Sequence, residues 1–231
     1  MYHKIYNCNK DRWESINSKN GKKLITSYVK YLIAGAKLRP PPLGAIGGAN
    51  PGQEPDDEVI DTTAALETVQ MKIAEDLFHA AYKGNADYVA KTLTHGRINP
   101  NIADQHGNTP LIVASRNGHP SVVTLLLADN RVDPNIADQF GITALIFAVK
   151  EGHASVVTLL LADKRVDPNI AEQNGSTALI VAAEKGHASV VTLLLADERV
   201  DPNIADQKGF TALMIAAVDE HASVVKLLLA D

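Results

Sequence analysis

The sequence predicts an all-α repeat solenoid, in which short helix–turn–helix units joined by hairpin-like loops stack one on the next. A segment that begins at Arg131 restarts at Arg165 and again at Arg199, which gives a period of 34 residues. The segments 131–164 and 165–198 are identical at 26 of their 34 positions. The chain is 45% hydrophobic but only 5% aromatic, so its core must consist mainly of small aliphatic side chains. Together, the period and the composition favour stacked short helices.

The repeats divide the 231-residue chain into three predicted parts. Residues 1–38 form a basic N-terminal segment that is predicted to be partly helical, with a short helix over residues 22–38. Residues 39–57 contain five Pro and four Gly and are predicted to be a linker. Residues 58–231 form the repeat domain of about five units. These are a degenerate N-terminal cap and four repeats, at residues 58–96, 97–130, 131–164, 165–198 and 199–231.

The degenerate cap carries the apolar pattern of the later units in a weaker form, with Leu77 and Val89 one period before Leu111 and Val123. Upstream of that pattern, residues 58–73 are predicted to form one more helix that covers the cap. The inward side chains of this helix are expected to be Ile60, Ala64, Leu66, Val69 and Ile73.

Each full unit is predicted to run through a turn, a helix, a second turn and a second helix. In the first of them, Thr109 caps the first helix, and Pro110 suits its first turn because the missing N–H has no helical partner there. Gly118 ends this helix, since a left-handed backbone costs Gly little, and Pro120 opens the second helix. At about nine residues each, the helices are not stable alone. Stability therefore depends on stacking between units.

Three motifs recur in register through these units. The first-helix motif reads TPLIVA, TALIFA, TALIVA and TALMIA, at residues 109–114, 143–148, 177–182 and 211–216. A Gly-His pair follows it in three units, and VVxLLL fills the second helix in all four. These motifs resemble the ankyrin repeat over about residues 75–231. The resemblance implies an ankyrin-repeat solenoid that acts as a protein-binding scaffold and does no chemistry.

Nothing in the sequence predicts an enzyme. It has no phosphate-binding loop and no HExxH, GxSxG or CxxC motif. One His recurs in each unit, but helices about 8–10 Å apart cannot bring such a ladder onto one metal ion. We therefore expect these rings to hydrogen-bond nearby backbone, and we predict no catalytic residue, no metal site and no cofactor. The ladder consists of His119, His153, His187 and His221.

The candidate binding residues are those that vary among near-identical copies, because stacking does not fix them. They lie at the hairpin tip and at the end of the first helix, positions that the ankyrin resemblance implies line a concave binding face. The predicted partner-binding residues are His106, Asn108, Arg116, Asn117, Phe140, Ile142, Lys150, Glu151, Asn174, Ser176, Glu184, Lys185, Lys208 and Phe210.

The few aromatic side chains sharpen this prediction. Residues 97–231 contain only Phe140, Phe147 and Phe210, and the first and last of these lie at hairpin tips. Large apolar groups on a turn are typical interface anchors, although packing on the adjacent hairpin or drift among the copies would also place them there. Phe147 aligns with aliphatic residues in the other units and is therefore expected in the core.

Charge is unevenly distributed along the chain. Residues 1–40 carry a net charge of +7 and residues 41–231 carry −12, which together give the net charge of −5. The basic segment leaves open an alternative function, regulatory or targeting, in which it contacts an anionic membrane or inhibits a bound enzyme. The acidic remainder would repel phosphate, so nucleic acid is not an expected partner. We expect a monomer that binds a protein.

The expected location is the cytoplasm. Cys8 is the single cysteine and cannot form an internal disulfide. No apolar run approaches the roughly 18 residues of a spanning helix, and no secretory signal is recognisable at the N-terminus. The near-identical units resemble those of ankyrin proteins of intracellular bacteria, which implies translocation into a host cell as an effector that acts on a host protein.

The resemblance also implies one modification. Some ankyrin proteins are hydroxylated on an inter-unit Asn, and Leu127 lies eight residues before Asn135. The candidate hydroxylation sites are Asn101, Asn135, Asn169 and Asn203.

Overall fold

The computed structural model describes most of the repeat domain and two short N-terminal segments, with side chains from residue 71 onward. The described residues are 4–7, 12–15, 62–94 and 98–230. The chain separates into two compact units, residues 1–71 and residues 72–231.

The first unit contains a short antiparallel hairpin. Its strands are β1 (Lys4–Asn7) and β2 (Arg12–Ser15), with Tyr6 opposite Trp13. The helix predicted over residues 22–38 and the linker predicted over residues 39–57 lie outside the described residues. Most of the basic segment on which the alternative function depends lies outside them as well.

A single helix, α1 (Thr62–Lys83), occupies the region where the sequence predicted one helix ending at residue 73 and a second beyond it. That boundary is wrong because none of these 22 residues is Gly or Pro, so nothing ends the helix before Lys83. Ile73, expected to face inward, is half-buried, whereas Ala74 and Leu77 are buried. The other expected inward residues lie where side chains are not described. The helix α2 (Ala86–Thr94) follows.

Eight further helices of the described chain follow as four pairs, one pair to each repeat. They are α3 (Pro110–Arg116) with α4 (Pro120–Leu127), α5 (Ala144–Lys150) with α6 (Ala154–Ala162), α7 (Ala178–Glu184) with α8 (Ala188–Leu195), and α9 (Ala212–Val218) with α10 (Ala222–Ala230). The predicted cap is confirmed, since the Thr109 side chain accepts a hydrogen bond from the backbone N–H of Ile112 at 3.3 Å. Gly118 ends α3 with a φ of 68°, as predicted.

The first helices of the pairs pack on one another along the array, and the second helices form a parallel layer beside them. In α6, Val156, Val157 and Leu160 are fully buried between the two layers. Burying each such side chain contributes roughly 1.5–3 kcal/mol. Because a short helix buries this surface only by contact with its neighbours, the units are stable together. The predicted solenoid of helical pairs is confirmed.

A repeated Arg links each unit boundary to the boundary before it. Arg165 donates from Nη2 to the carbonyl oxygen of Leu127 at 2.6 Å and from Nη1 to that of Val132 at 2.9 Å. The same guanidinium is fixed by the carboxylate of Asp163, with Nη2 to Oδ2 at 2.6 Å. Arg131 and Arg199 make the equivalent contacts one unit before and one unit after. The arginine therefore binds a carbonyl group at the C-terminus of a second helix, which has no partner within the helix, and another in the loop that follows.

Ser115 places a polar side chain in this otherwise apolar part of the core. Its Oγ is buried and has no hydrogen-bond partner among the described residues. The equivalent positions in the next two units are Val149 and Ala183, which are also buried but carry no polar atom. We expect Ser115→Ala to raise the free energy of unfolding by about 1 kcal/mol, because an unsatisfied hydroxyl no longer has to be buried. Urea denaturation followed by circular dichroism measures the change, and a loss of stability would contradict the assignment.

Candidate functional site

The hairpin tips of successive units are joined by backbone hydrogen bonds into one strip, which we call the hairpin strip (residues 104–108, 138–142, 172–176 and 206–210). The N–H of Gln173 donates to the carbonyl oxygen of Phe140 at 3.0 Å, and the N–H of Gln207 donates to that of Asn174 at 3.0 Å. Each tip is thereby fixed against the next one. Side chains at the tips consequently project from a preorganised backbone.

A carboxylate holds each tip in three of the four units. In the second of these, Asp138 Oδ1 accepts the backbone N–H of Phe140 at 2.8 Å and that of Ile142 at 2.9 Å. Asp104 and Asp206 close their turns in the same way. Burial acts to raise the pKa of Asp104, but the hydrogen bonds from Asn108 and His106 outweigh burial and leave that pKa below its ordinary value. These aspartates are structural groups of the turns.

The unit 165–198 is different, because Glu172 stands in place of the aspartate. The turn is instead held by Asn174, whose Oδ1 accepts the backbone N–H of Ser176 at 2.8 Å. Glu172 is half-buried. Burial raises the pKa of its carboxyl above the ordinary value, Lys150 acts to lower it, and Glu184 raises it further. Its carboxylate is therefore released from the turn and interacts with the ends of the first helices.

The histidine ladder fixes the ends of those helices. His153 Nε2 lies 3.1 Å from the carbonyl oxygen of Arg116, and His187 Nε2 lies 3.3 Å from that of Lys150. A carbonyl oxygen only accepts, so Nε2 must carry the proton. His119 and His221 make the same contact with Tyr82 and Glu184. The prediction that these rings hydrogen-bond backbone is confirmed. Over the described residues, no cluster of His, Cys, Asp or Glu could hold a metal ion.

The structure places most of the predicted partner-binding residues on one surface, which we call the hairpin face. It consists of the hairpin strip and the ends of the first helices. The exposed members are His106, Arg116, Phe140, Lys150, Glu151, Asn174, Glu184, Lys185, Lys208 and Phe210, and the half-buried members are Asn108 and Asn117.

Two residues of the predicted set, Ile142 and Ser176, are buried. Both follow the turn and pack beneath it, and the Ser176 backbone also closes the turn through Asn174. Although both residues belong to the hairpin strip, their side chains are not accessible to a partner, so the prediction that they bind one is wrong.

The three phenylalanines of the repeats separate clearly. Phe140 is 54% exposed and Phe210 is 38% exposed, whereas Phe147 is only 7% exposed. Phe147 therefore belongs to the core, as predicted, and the guanidinium of Arg116 lies 5.4 Å from its ring centroid. This contact positions Arg116 on the hairpin face, because a cation is attracted to the face of an aromatic ring.

Two exposed apolar residues of α9, Met214 at 50% and Val218 at 69%, are absent from the set of binding residues predicted from the sequence. Met214 aligns with Ile146 and Ile180, which are buried by the unit that follows. Within the described chain no further unit covers α9, so the same position is exposed there. Counting one period from Ile180 therefore identifies Met214 as the residue that a following unit would otherwise bury.

The inter-unit asparagines bridge neighbouring units. Asn135 Nδ2 donates to the carbonyl oxygen of Arg165 at 2.7 Å, and its Oδ1 accepts the N–H of Asp167 at 2.8 Å. Asn101 and Asn169 make the same pair of bonds. Among the described residues, Asn203 keeps only the turn bond, in which its backbone N–H donates to Asp201 Oδ1 as those of Asn135 and Asn169 donate to Asp133 and Asp167. Hydroxylation at these four positions stays a prediction.

No helix in the described part of the chain is both long enough and apolar enough to span a membrane.

A family model described as ankyrin repeats (3 copies) matches three overlapping segments, residues 75–138, 120–206 and 145–231. No curated protein matches the chain. Ankyrin repeats are generally protein–protein interaction modules, and proteins built from them are typically non-catalytic scaffolds. The matched segments extend over most of the chain and coincide with the stacked helical pairs, so the chain belongs to the ankyrin-repeat family.

Proposed function

We propose that the chain is a non-catalytic scaffold that binds a partner protein through the hairpin face. The observation that carries this proposal is the exposure of Phe140 on a rigid hairpin tip. With 54% of its surface exposed, Phe140 is not part of the solenoid core and offers a large apolar surface to a partner. Buried aromatic anchors of this kind dominate the binding energy of many interfaces.

The rigidity of the strip supports the same proposal. Phe140 is fixed through its own N–H by Asp138 and through its carbonyl oxygen by Gln173. A partner that docks on this ring therefore orders little backbone. Preorganisation of this kind lowers the entropic cost of association.

Charge on the hairpin face supplies selectivity. Arg116 and Lys150 are exposed at the ends of α3 and α5, whereas Glu184 at the end of α7 pairs with Lys185 at 3.0 Å. Exposed charges of both signs contribute more to partner choice and association rate than to affinity. The face thus combines apolar anchors with a charge pattern that changes from one unit to the next.

We expect the double variant Phe140→Ser with Phe210→Ser to lose its partner from affinity capture. Removing both anchor rings should weaken binding by about a hundredfold, because the loss of each ring costs about 1.4 kcal/mol, a factor of ten in Kd. The measurement is quantitative mass spectrometry of proteins captured by the wild type and by the variant. The partner is the protein depleted in the variant sample.

Leu229→Ser is the matched control, since Leu229 is an exposed apolar residue of α10, outside the hairpin face. This variant should retain the partner. Circular dichroism establishes that all three proteins are folded. Equal capture by the wild type and by a folded double variant would sink the proposal.

A further inference from the structure

Glu172 is the one turn carboxylate of the four units that does not hold its own turn. Aspartate reaches the N–H groups two and four residues later, but the longer glutamate side chain leaves this task to Asn174. Within the part of the chain that the structure describes, no hydrogen bond or ion pair joins the Glu172 carboxylate to another residue. It is a half-buried anion without a direct partner.

Most of the charged neighbours of Glu172 already interact with other groups. They are Lys150, Glu184, Asp138 and Lys185. Asp138 is used by its turn, and Glu184 and Lys185 pair with each other. Lys150 is exposed and lies beyond the 4.0 Å of an ion pair with Glu172, so it compensates the carboxylate only partly. A half-buried carboxylate in this position favours a cation brought by a ligand.

An exposed aromatic ring belongs to the same small region. The carbonyl oxygen of Phe140 accepts the N–H of Gln173, the residue that follows Glu172, at 3.0 Å. The hairpin tip that carries the Phe140 ring therefore lies directly against the backbone that carries the Glu172 carboxylate. The two side chains extend from adjacent backbone segments, and a group that reaches both the carboxylate and the exposed ring is best a cation that is also planar.

We propose that Phe140 and Glu172 form a site for an arginine side chain of the partner protein, an inference that rests on the function proposed above. The guanidinium donates to the Glu172 carboxylate while its plane stacks on the Phe140 ring. Arginine meets both requirements, because its charge is spread over a flat group that is more weakly hydrated than an ammonium. The aliphatic part of the same side chain packs on the ring.

Peptides selected from a random display library on the full immobilised chain test the proposal. Those whose binding is lost with Phe140→Ser occupy the hairpin face, and the Kd of each is measured by fluorescence anisotropy. We expect these peptides to be enriched in arginine. Replacing that arginine by citrulline, which keeps the shape but removes the charge, should raise Kd by about tenfold, since a charge-assisted hydrogen bond is lost.

Glu172→Gln should raise Kd by the same factor of about tenfold for the arginine peptide and leave the citrulline peptide unchanged. Glu198→Gln, which removes an exposed carboxylate outside the hairpin face, should leave both values unchanged. Peptides that need Phe140 but show neither arginine enrichment nor dependence on Glu172 would overturn this inference and leave the proposed binding face standing. Failure to select any peptide that depends on Phe140 would overturn both.

Discussion

Gly175→Ala is expected to lower the free energy of unfolding by about 3 kcal/mol, as the sum of two costs. Gly175 has a φ of 88°, where a side chain costs roughly 1–2 kcal/mol. A methyl group there would also lie 2.7 Å from the backbone nitrogen of Gln207 in the next unit. That contact is too short, and relieving it moves Gln207 away from the carbonyl oxygen of Asn174. One added methyl therefore strains a turn and breaks a link of the hairpin strip.

Gly209→Ala is the matched control because it separates the two costs. Gly209 has a φ of 84°, but a methyl group there meets nothing within 4 Å. We expect Gly209→Ala to lower the free energy of unfolding only by the cost of placing a side chain at this φ, about 1–2 kcal/mol. Urea denaturation with detection by far-UV circular dichroism measures both variants against the wild type, with the slope reported beside the midpoint. Equal losses at the two positions would show that contact between hairpin tips contributes no stability.

The near-identity of the units explains why the sequence predicted so much of the fold. Each position is sampled four times, so a residue kept in all copies is fixed by stacking and its role is read from the period. The position of Phe147 holds an apolar residue in every copy, and this predicts that Phe147 lies in the core. The histidine ladder was predicted to bind backbone for the same reason.

Variation among copies is a weaker guide to the binding surface, because it shows that a position tolerates different side chains and not that the position is exposed. The position that holds Asn108, Ile142, Ser176 and Phe210 accepts side chains of very different size. Ile142 and Ser176 are buried there, whereas Phe210 is partly exposed. The degree of burial depends on the neighbouring hairpin, and a single-unit comparison contains no information about that neighbour.

The long first helix and the role of Glu172 escaped prediction for different reasons. The pattern in α1 is weak, and the end of a helix is hard to locate where no Gly or Pro marks it. At residue 172, the change from aspartate to glutamate is chemically conservative in charge. It is not conservative in reach, because one extra methylene removes the carboxylate from the two N–H groups of the turn. Such a difference of reach becomes visible only with the backbone geometry.

Arg165→Ala is the second large effect, with an expected loss of about 2 kcal/mol in the free energy of unfolding. The guanidinium donates to the carbonyl oxygens of Leu127 and Val132 across the unit boundary, at 2.6 and 2.9 Å. Hydrogen bonds from a charged donor are worth more than neutral ones, but about a third of this side chain is exposed to water, which reduces the gain. The alanine variant leaves both carbonyl groups to water and frees Asp163.

The dependence of this loss on pH identifies its electrostatic part. The hydrogen bond from Arg165 lowers the pKa of the Asp163 carboxyl below its ordinary value of 3.8, and burial opposes the effect. An acid with a lowered pKa stabilises the folded state above the ordinary value, and this stabilisation is lost as pH falls through the lowered pKa. The difference between the wild type and Arg165→Ala should therefore be largest near neutral pH and shrink in strong acid.

Arg165→Lys separates charge from geometry at this junction. Lysine keeps the positive charge near Asp163, but a single ammonium does not reproduce the planar fork that reaches two carbonyl groups and a carboxylate together. We expect the lysine variant to recover less than half of the stability lost in the alanine variant, measured by urea denaturation at several pH values. Full recovery by lysine would mean that charge alone joins the units. A difference that stays constant into strong acid would mean that Asp163 takes no part, because only the carbonyl contacts survive its protonation.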